Sequence, residues 1–157
     1  MAGEQYNKIS IIIPTWNEED NILMLVQRIH TVLYSNGIEY EIIFIDDHST
    51  DQTRNIIKTL SSEYPISLYL KQGKKGKAQS LLEGFTYANY GLVGMIDADL
   101  QYPPEAFPAM ITKIKSGADV IVANRSERQI SPLRRLTSRS FSFIFGRLTH
   151  GFNCDIQ

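Results

Sequence analysis

Ile9-Ser10-Ile11-Ile12-Ile13-Pro14-Thr15-Trp16-Asn17-Glu18-Glu19-Asp20 is the stretch on which the fold turns. Ile9 to Ile13 is a β-branched run too short for a helix, and it reads as a buried strand ended by Pro14. Asn17 then reads as the start of a helix, with Glu18, Glu19 and Asp20 in a first turn where acids complement the helix dipole. Ile22, Leu25, Val26, Ile29, Val32 and Leu33 follow at helical spacing, and Asn36-Gly37 ends the pattern.

The same alternation continues outward from this unit. Tyr40 to Ile45 reads as a second strand, broken by Asp46-Asp47-His48-Ser49, and Ser49 with Gln52 has the spacing of a capping box for a helix bearing Ile56, Ile57 and Leu60. Ile66 to Leu70 is a third strand, followed by a polar Gly/Lys loop, Gln72 to Lys77. A helix with Ala78, Leu81, Leu82, Phe85 and Ala88 runs until near Gly91, and Leu92 to Ile96 is a fourth strand. Pro103 and Pro104 begin a helix that Gly117 ends, and Asp119 to Ala123 is a fifth strand. Five such alternations predict an α/β fold, a Rossmann-like and mostly parallel sheet with helices on both faces.

Composition agrees with a folded protein of one domain. The 157 residues are 43% hydrophobic and 21% charged, near the usual ~45–50% and ~25%. This excludes a disordered tail, a collagen-like repeat and a disulfide scaffold. Sixteen Lys and Arg against seventeen Asp and Glu give a net charge of -1, so no global basic field points to nucleic acid. Cys154 is the only cysteine, which fits a reducing compartment. The runs Ile11–Ile13 and Leu92–Ile96 fall far short of the roughly 20 residues that cross a bilayer, and Met1 to Lys8 lacks the apolar core of a signal peptide. The expectation is a soluble, intracellular, single domain over residues 1–157.

One segment breaks the even charge. Between Arg125 and His150 there are six arginines and a single acid, Glu127, interleaved with Phe141, Phe143 and Phe145, and Phe152 follows. It reads either as a solvated helix face with its apolar side on the core, or as a basic aromatic surface for anionic lipid headgroups. Composition is compatible with both.

In an open parallel sheet, ligands bind outside the carboxyl ends of the strands. Three strands here end in polar clusters, Thr15 to Glu19, Asp46 to Asp51 and Asp97 to Gln101, so all three are expected on one rim. Asp97 and Asp99 offer hard oxygen donors suited to Mg²⁺ or Mn²⁺ bridging to phosphates, or are two solvated acids in a turn. Asp46 and Asp47 either accept hydrogen bonds from a ribose or a base, or only cap the next helix. Glu18 is a nucleotide contact or a complement to the helix dipole. Trp16 is a core filler or a flat wall against a nucleotide. Lys74, Lys75 and Lys77 approach phosphates or lie in a solvated loop, and Gly73 to Gly76 is not a Walker A loop because no Gly-Lys-Ser/Thr opens the next helix.

Ile11-Ile12-Ile13-Pro14-Thr15-Trp16-Asn17-Glu18-Glu19, Phe44-Ile45-Asp46-Asp47-His48-Ser49-Thr50-Asp51 and Asp97-Ala98-Asp99-Leu100-Gln101-Tyr102-Pro103-Pro104-Glu105 resemble, in order and spacing, the motifs of family 2 glycosyltransferases. The last resembles the dolichol-phosphate mannose synthase branch most. The resemblance implies a GT-A-type fold and an inverting, metal-dependent transfer, with mannose from GDP-mannose the favoured donor and dolichyl or polyprenyl phosphate the acceptor. By position, Pro14, Trp16, Glu18, Ile45 and Asp47 match donor-nucleotide contacts. Asp97, Ala98, Asp99 and Gln101 match the diphosphate site, with Asp97, Asp99 and Gln101 as ligands of Mg²⁺ or Mn²⁺. Arg125 matches a basic residue near the donor and acceptor phosphates, and Arg139 one that receives the lipid phosphate; with Asp99 they form the implied catalytic set.

The resemblance also implies peripheral membrane contact through residues 125–152, at the cytoplasmic face of a membrane. Two departures stand out. His48 occupies a position where the family often has a small residue. The chain stops at Asn153-Cys154-Asp155-Ile156-Gln157, where members typically continue, so the expectation is a C-terminally incomplete catalytic domain. Two alternatives stay open: an acceptor that is a sugar hydroxyl, as in polysaccharide synthesis, and a nucleotide-binding fragment without catalysis.

Overall fold

A computed structural model of the chain describes residues 7–123. Within them the order is β1 (Lys8–Thr15), α1 (Ile22–Ser35), β2 (Glu39–Asp46), α2 (Thr53–Leu60), β3 (Ile66–Leu70), α3 (Lys77–Phe85), β4 (Val93–Met95) and α4 (Phe107–Lys115), the last entered through a 3₁₀ turn at Pro104–Ala106. The four strands are all parallel, in the order β3-β2-β1-β4. Strand order reverses between β1 and β4, and an open α/β sheet holds its ligands at the carboxyl side of such a reversal.

The apolar runs form strands because both faces of the sheet are covered. Ile11, Ile13, Ile42 and Phe44 are fully buried and pack in one cluster with Leu25, Val26 and Ile29 of α1, Ile57 of α2, and Phe107 and Ile111 of α4. Ile12, Ile43 and Ile45, one residue out of phase, form the opposite cluster with Leu81 of α3 and with Tyr69 and Tyr87. The two tyrosine rings stack at 3.7 Å. Each such side chain contributes about 1.5–3 kcal/mol on burial. A Cβ on Gly84 would run into Ile12 Cγ2, so the glycine lets α3 settle directly on the strands.

The expected α/β architecture holds, with five local differences. First, Pro14 does not end β1. Ser10 N donates to Leu92 O and Ile96 N to Ile12 O, so even-numbered residues of β1 face β4. Pro14 is in the same phase but lies beyond the last β4 pairing, Ile12↔Met95, where its missing N–H is not needed.

Second, α1 starts at Ile22, not Asn17, and has no acid in its first turn; residues 17–21 form a loop. Third, the Ser49/Gln52 box does not form. The N-cap is Gln52 without a side-chain cap bond, because the Ser49 hydroxyl is engaged by Asn17. Fourth, α3 ends at Phe85, before Ala88. Fifth, residues 119–123 are not a strand. Val120 and Val122 are 78% and 83% exposed: alternating valines supply β propensity, but a strand also needs a paired neighbour. Among the described residues no helix is long and apolar enough to cross a membrane.

Candidate functional site

The carboxyl ends of β1 and β2 are stitched together by their own loops. Asp47 N donates to Thr15 O at 2.8 Å. Asn17 N donates to Ser49 Oγ at 2.9 Å, Thr50 N to Asn17 Oδ1 at 2.8 Å, and Glu18 N to Thr53 Oγ1 at 2.8 Å. Gln52 N donates to Glu19 Oε2 at 2.7 Å, and Asp51 accepts from the N–H groups of Glu19 and Thr53. Asn17 and His48 both take left-handed backbone, φ 54° and 64°, which turns each loop back toward the other. Burial pushes the Asp51 carboxyl up, but the Thr53 and Glu19 donors outweigh it and hold the group below the usual range. This pattern of polar residues, read from sequence as helix starts, is the glue between two loops.

The adjacent aspartates have separate tasks. Asp46 is fully buried; its Oδ2 accepts from Ser49 N at 3.1 Å and lies 3.6 Å from Arg54 Nε. It is a structural turn residue. Asp47 faces a cavity instead. Its Oδ2 accepts from Lys71 Nζ at 3.0 Å and from Gly76 N at 2.9 Å. Burial would raise the Asp47 carboxyl, yet the Gly76 and Lys71 donors more than offset it and hold it below the ordinary value.

Lys71 was not legible as a site residue, although a charged residue closing an apolar strand is a signal. Leu70 pairs with Asp46, so the next residue, Lys71, falls beside Asp47. Its side chain is wholly buried, and it also donates to Gly76 O at 2.8 Å.

The cavity, about 380 Å³, lies between these loops and the end of β4. Pro14, Trp16, Glu18, Asp47, Asp97, Ala98 and Asp99 all line it, joined by Thr15, Lys77 and Ser80. Trp16 is 61% exposed, so it is a wall and not a core filler. The Glu18 side chain accepts from Asn21 Nδ2 at 2.8 Å, ahead of α1 and not in its first turn. Ile45 does not line the cavity; it is fully buried in the core beneath it. Gln101 is exposed and outside the lining, and its backbone N donates to Asp99 Oδ1 at 3.1 Å. Arg125, Arg139 and the segment 125–152 lie outside the described residues.

Lys77, the first residue of α3, pairs with Asp97 Oδ1 at 2.5 Å. Glu105, the last residue of the third motif, points elsewhere: it forms a two-pronged pair with Arg28 of α1 at 2.9 and 2.6 Å. That pair, led by the hydrogen bond from Arg28, holds the Glu105 carboxyl below its ordinary range.

The donor set fits Mg²⁺ or Mn²⁺. Asp97 and Asp99 bring hard carboxylate oxygens to one cavity. Two carboxylates leave positions for substrate oxygens and water, which these cations prefer over an all-protein cage.

The chain matches the family model described as Glycosyl transferase family 2 over residues 10–154. It is 40% identical over 118 residues to the dolichol-phosphate mannosyltransferase of Pyrococcus furiosus, a match covering 75% of this chain and 33% of that protein. The chain thus spans about a third of the length of that curated relative. Among solved structures, it resembles a mycobacterial protein with a TM-score of 0.62 at 20% identity, over 94% of this chain and 51% of the other. It also resembles the mannosyltransferase from Pyrobaculum calidifontis in complex with GDP-Man and Mn²⁺, with a TM-score of 0.54 at 24% identity, over 71% and 32% of the two chains. At these identities the likeness is one of fold, and the shared fold is GT-A.

Proposed function

The chain belongs to glycosyl transferase family 2, and on that premise we propose that it carries the donor half of a polyprenyl-phosphate mannosyltransferase. The reaction moves mannose from GDP-mannose to dolichyl or polyprenyl phosphate, with inversion at the anomeric carbon. The observation that carries this reading is the meeting of Trp16, Glu18, Asp47, Asp97 and Asp99, from three separate strand ends, on one cavity. A nucleoside diphosphate needs that combination: a flat apolar wall, carboxylates for ribose and base donors, and a carboxylate pair toward the phosphates.

Asp97 and Asp99 hold the divalent cation, which when bound stabilises the charge of the departing diphosphate. Trp16 and Asp47 fix the nucleoside, so the sugar is presented toward the open side of the cavity. The acceptor is a phosphate monoester, already anionic near neutral pH, so its oxygen attacks the anomeric carbon without a strong general base. The remaining demands are in-line positioning and electrostatic stabilisation. Arg125 and Arg139 grip the acceptor phosphate, a role that rests on their match to family positions. The basic, aromatic segment 125–152 meets the cytoplasmic face of a membrane, where each basic residue contributes about 1 kcal/mol beside anionic lipid.

The test is transfer of labelled mannose from GDP-mannose to a short polyprenyl phosphate in detergent with Mn²⁺. The expected product is an organic-extractable mannosyl lipid that Asp99→Ala abolishes. Label entering an oligosaccharide acceptor instead would make the acceptor a sugar hydroxyl. Nucleotide binding without transfer to either acceptor would leave this chain a binding fragment.

A further inference from the structure

Lys77 stands where two constraints meet. Behind it, the loop 72–76 is fastened to Asp47: Gly76 N donates to Asp47 Oδ2, and buried Lys71 bridges that carboxylate to Gly76 O. Gly76 turns the chain into α3 at φ 130°, a backbone region that L side chains rarely adopt. The Cα of Lys77 therefore has a fixed origin. Its side chain is 59% exposed and its ammonium pairs with Asp97, itself 28% exposed.

The contact is a conflict as well as a bond. Asp97 Oδ1 already has an ammonium at 2.5 Å, and a divalent cation on the same oxygen would bring two positive centres together. The ammonium must leave when the metal arrives. An ion pair this exposed is weak enough to exchange, and a long flexible lysine on a fixed pivot has somewhere to go. The anionic group that accompanies the metal, a diphosphate, is the one partner in the cavity that an ammonium displaced from a carboxylate would seek.

We propose that Lys77 is an exchangeable resident cation of this site: it neutralises Asp97 in the free protein, yields that carboxylate to the divalent cation, and then binds the diphosphate. The proposal rests on the reading of Asp97 and Asp99 as the metal pair. It gives Lys77 two effects of opposite sign, which a merely structural lysine would not have. It opposes metal binding to the empty site and supports nucleotide binding to the metal-loaded one.

The experiment is calorimetric titration of the full chain, first with MnCl₂ alone and then with GDP and UDP at saturating Mn²⁺. Lys77→Gln is expected to tighten Mn²⁺ roughly two- to fivefold, the size of an exposed pair lost as a competitor. The same variant is expected to weaken the preferred nucleotide roughly ten- to a hundredfold, the size of one charge-assisted hydrogen bond. Lys77→Arg keeps the charge and should remain near wild type in both titrations. Lys75→Gln removes the same charge from the adjoining loop and should leave the Mn²⁺ constant unchanged. An unchanged or weaker Mn²⁺ constant in Lys77→Gln overturns the proposal, as does an equal tightening in Lys75→Gln or a nucleotide constant that does not weaken. If wild type and Asp97→Asn give the same Mn²⁺ isotherm, the metal reading itself fails and takes this proposal with it.

Discussion

β1 and β2 pair from Lys8↔Glu39 to Thr15↔Asp46, whereas β4 pairs with β1 only from Ser10↔Val93 to Ile12↔Met95. The long ladder ends in loops that hydrogen-bond each other residue by residue, so Trp16, Glu18 and Asp47 are held by the sheet and its stitching. The short ladder ends in Asp97-Ala98-Asp99 beside an apolar gap of about 560 Å³ lined by residues of β4, α4 and 119–123. There, among the described residues, Lys77 pairs with Asp97 and the Gln101 N–H donates to Asp99. One side of the cavity is built in advance, and the other is built around charge.

The largest expected effect is on stability and separates the two ladders. Ile12→Ala removes a fully buried side chain between α3 and the sheet, and should cost about 2–5 kcal/mol in urea denaturation. Met95→Ala, at a side chain 54% exposed on β4, should cost well under about 1 kcal/mol. Equal costs would mean that the β4 edge is as tightly built as the centre.

Lys71→Met probes the joint between the two sides. It removes a buried ammonium from Asp47 and should destabilise the chain by about 1.5–3 kcal/mol, the worth of hydrogen bonds to a charged group. It should also weaken nucleotide binding, because the loop before Lys77 loses its anchor. The same contact sets an acid limit. The Asp47 carboxyl lies below its ordinary value in the folded chain, so its stabilising contribution is complete above the unfolded value near pH ~4 and fades as pH falls through the lower, folded one. Acid titration of stability should be shallower in Asp47→Asn than in wild type over that window.

Glu105→Gln should have the smallest effect. The Arg28–Glu105 pair links the entry of α4 to α1, but both partners are substantially exposed, so a loss of no more than about 1 kcal/mol is expected from thermal melting. A larger loss would show that the β4 side depends on that one link.

The sequence made the fold legible because its signals are periodic and local. Ile11-Ile12-Ile13 and Ile42-Ile43-Phe44-Ile45 are short, β-branched apolar runs that read as strands buried on both faces, and the helical stripes between them favour a parallel sheet. What escaped reading was non-local. Ser49 has the spacing of a cap, but its hydroxyl is taken by a loop 32 residues away. Val120 and Val122 have strand character, but among the described residues they pair with nothing in the sheet. Of the expected site residues within 7–123, seven share the cavity, while Ile45 proved to be core and Gln101 lies outside the lining. Lys71 carries a local signal, a charge closing an apolar strand, but its partner Asp47 is set only by the register of β3 against β2.

The most direct measurement uses Trp16, the sole tryptophan and a wall of the cavity. GDP and UDP are titrated with Mn²⁺ and with chelator while intrinsic fluorescence is followed in wild type and Asp99→Asn. A saturable change is expected for GDP, one that needs Mn²⁺ and is lost or strongly weakened in Asp99→Asn. A response indifferent to both the metal and Asp99, or no response to either nucleotide, would contradict the claim that this cavity is a metal-assisted nucleoside-diphosphate site.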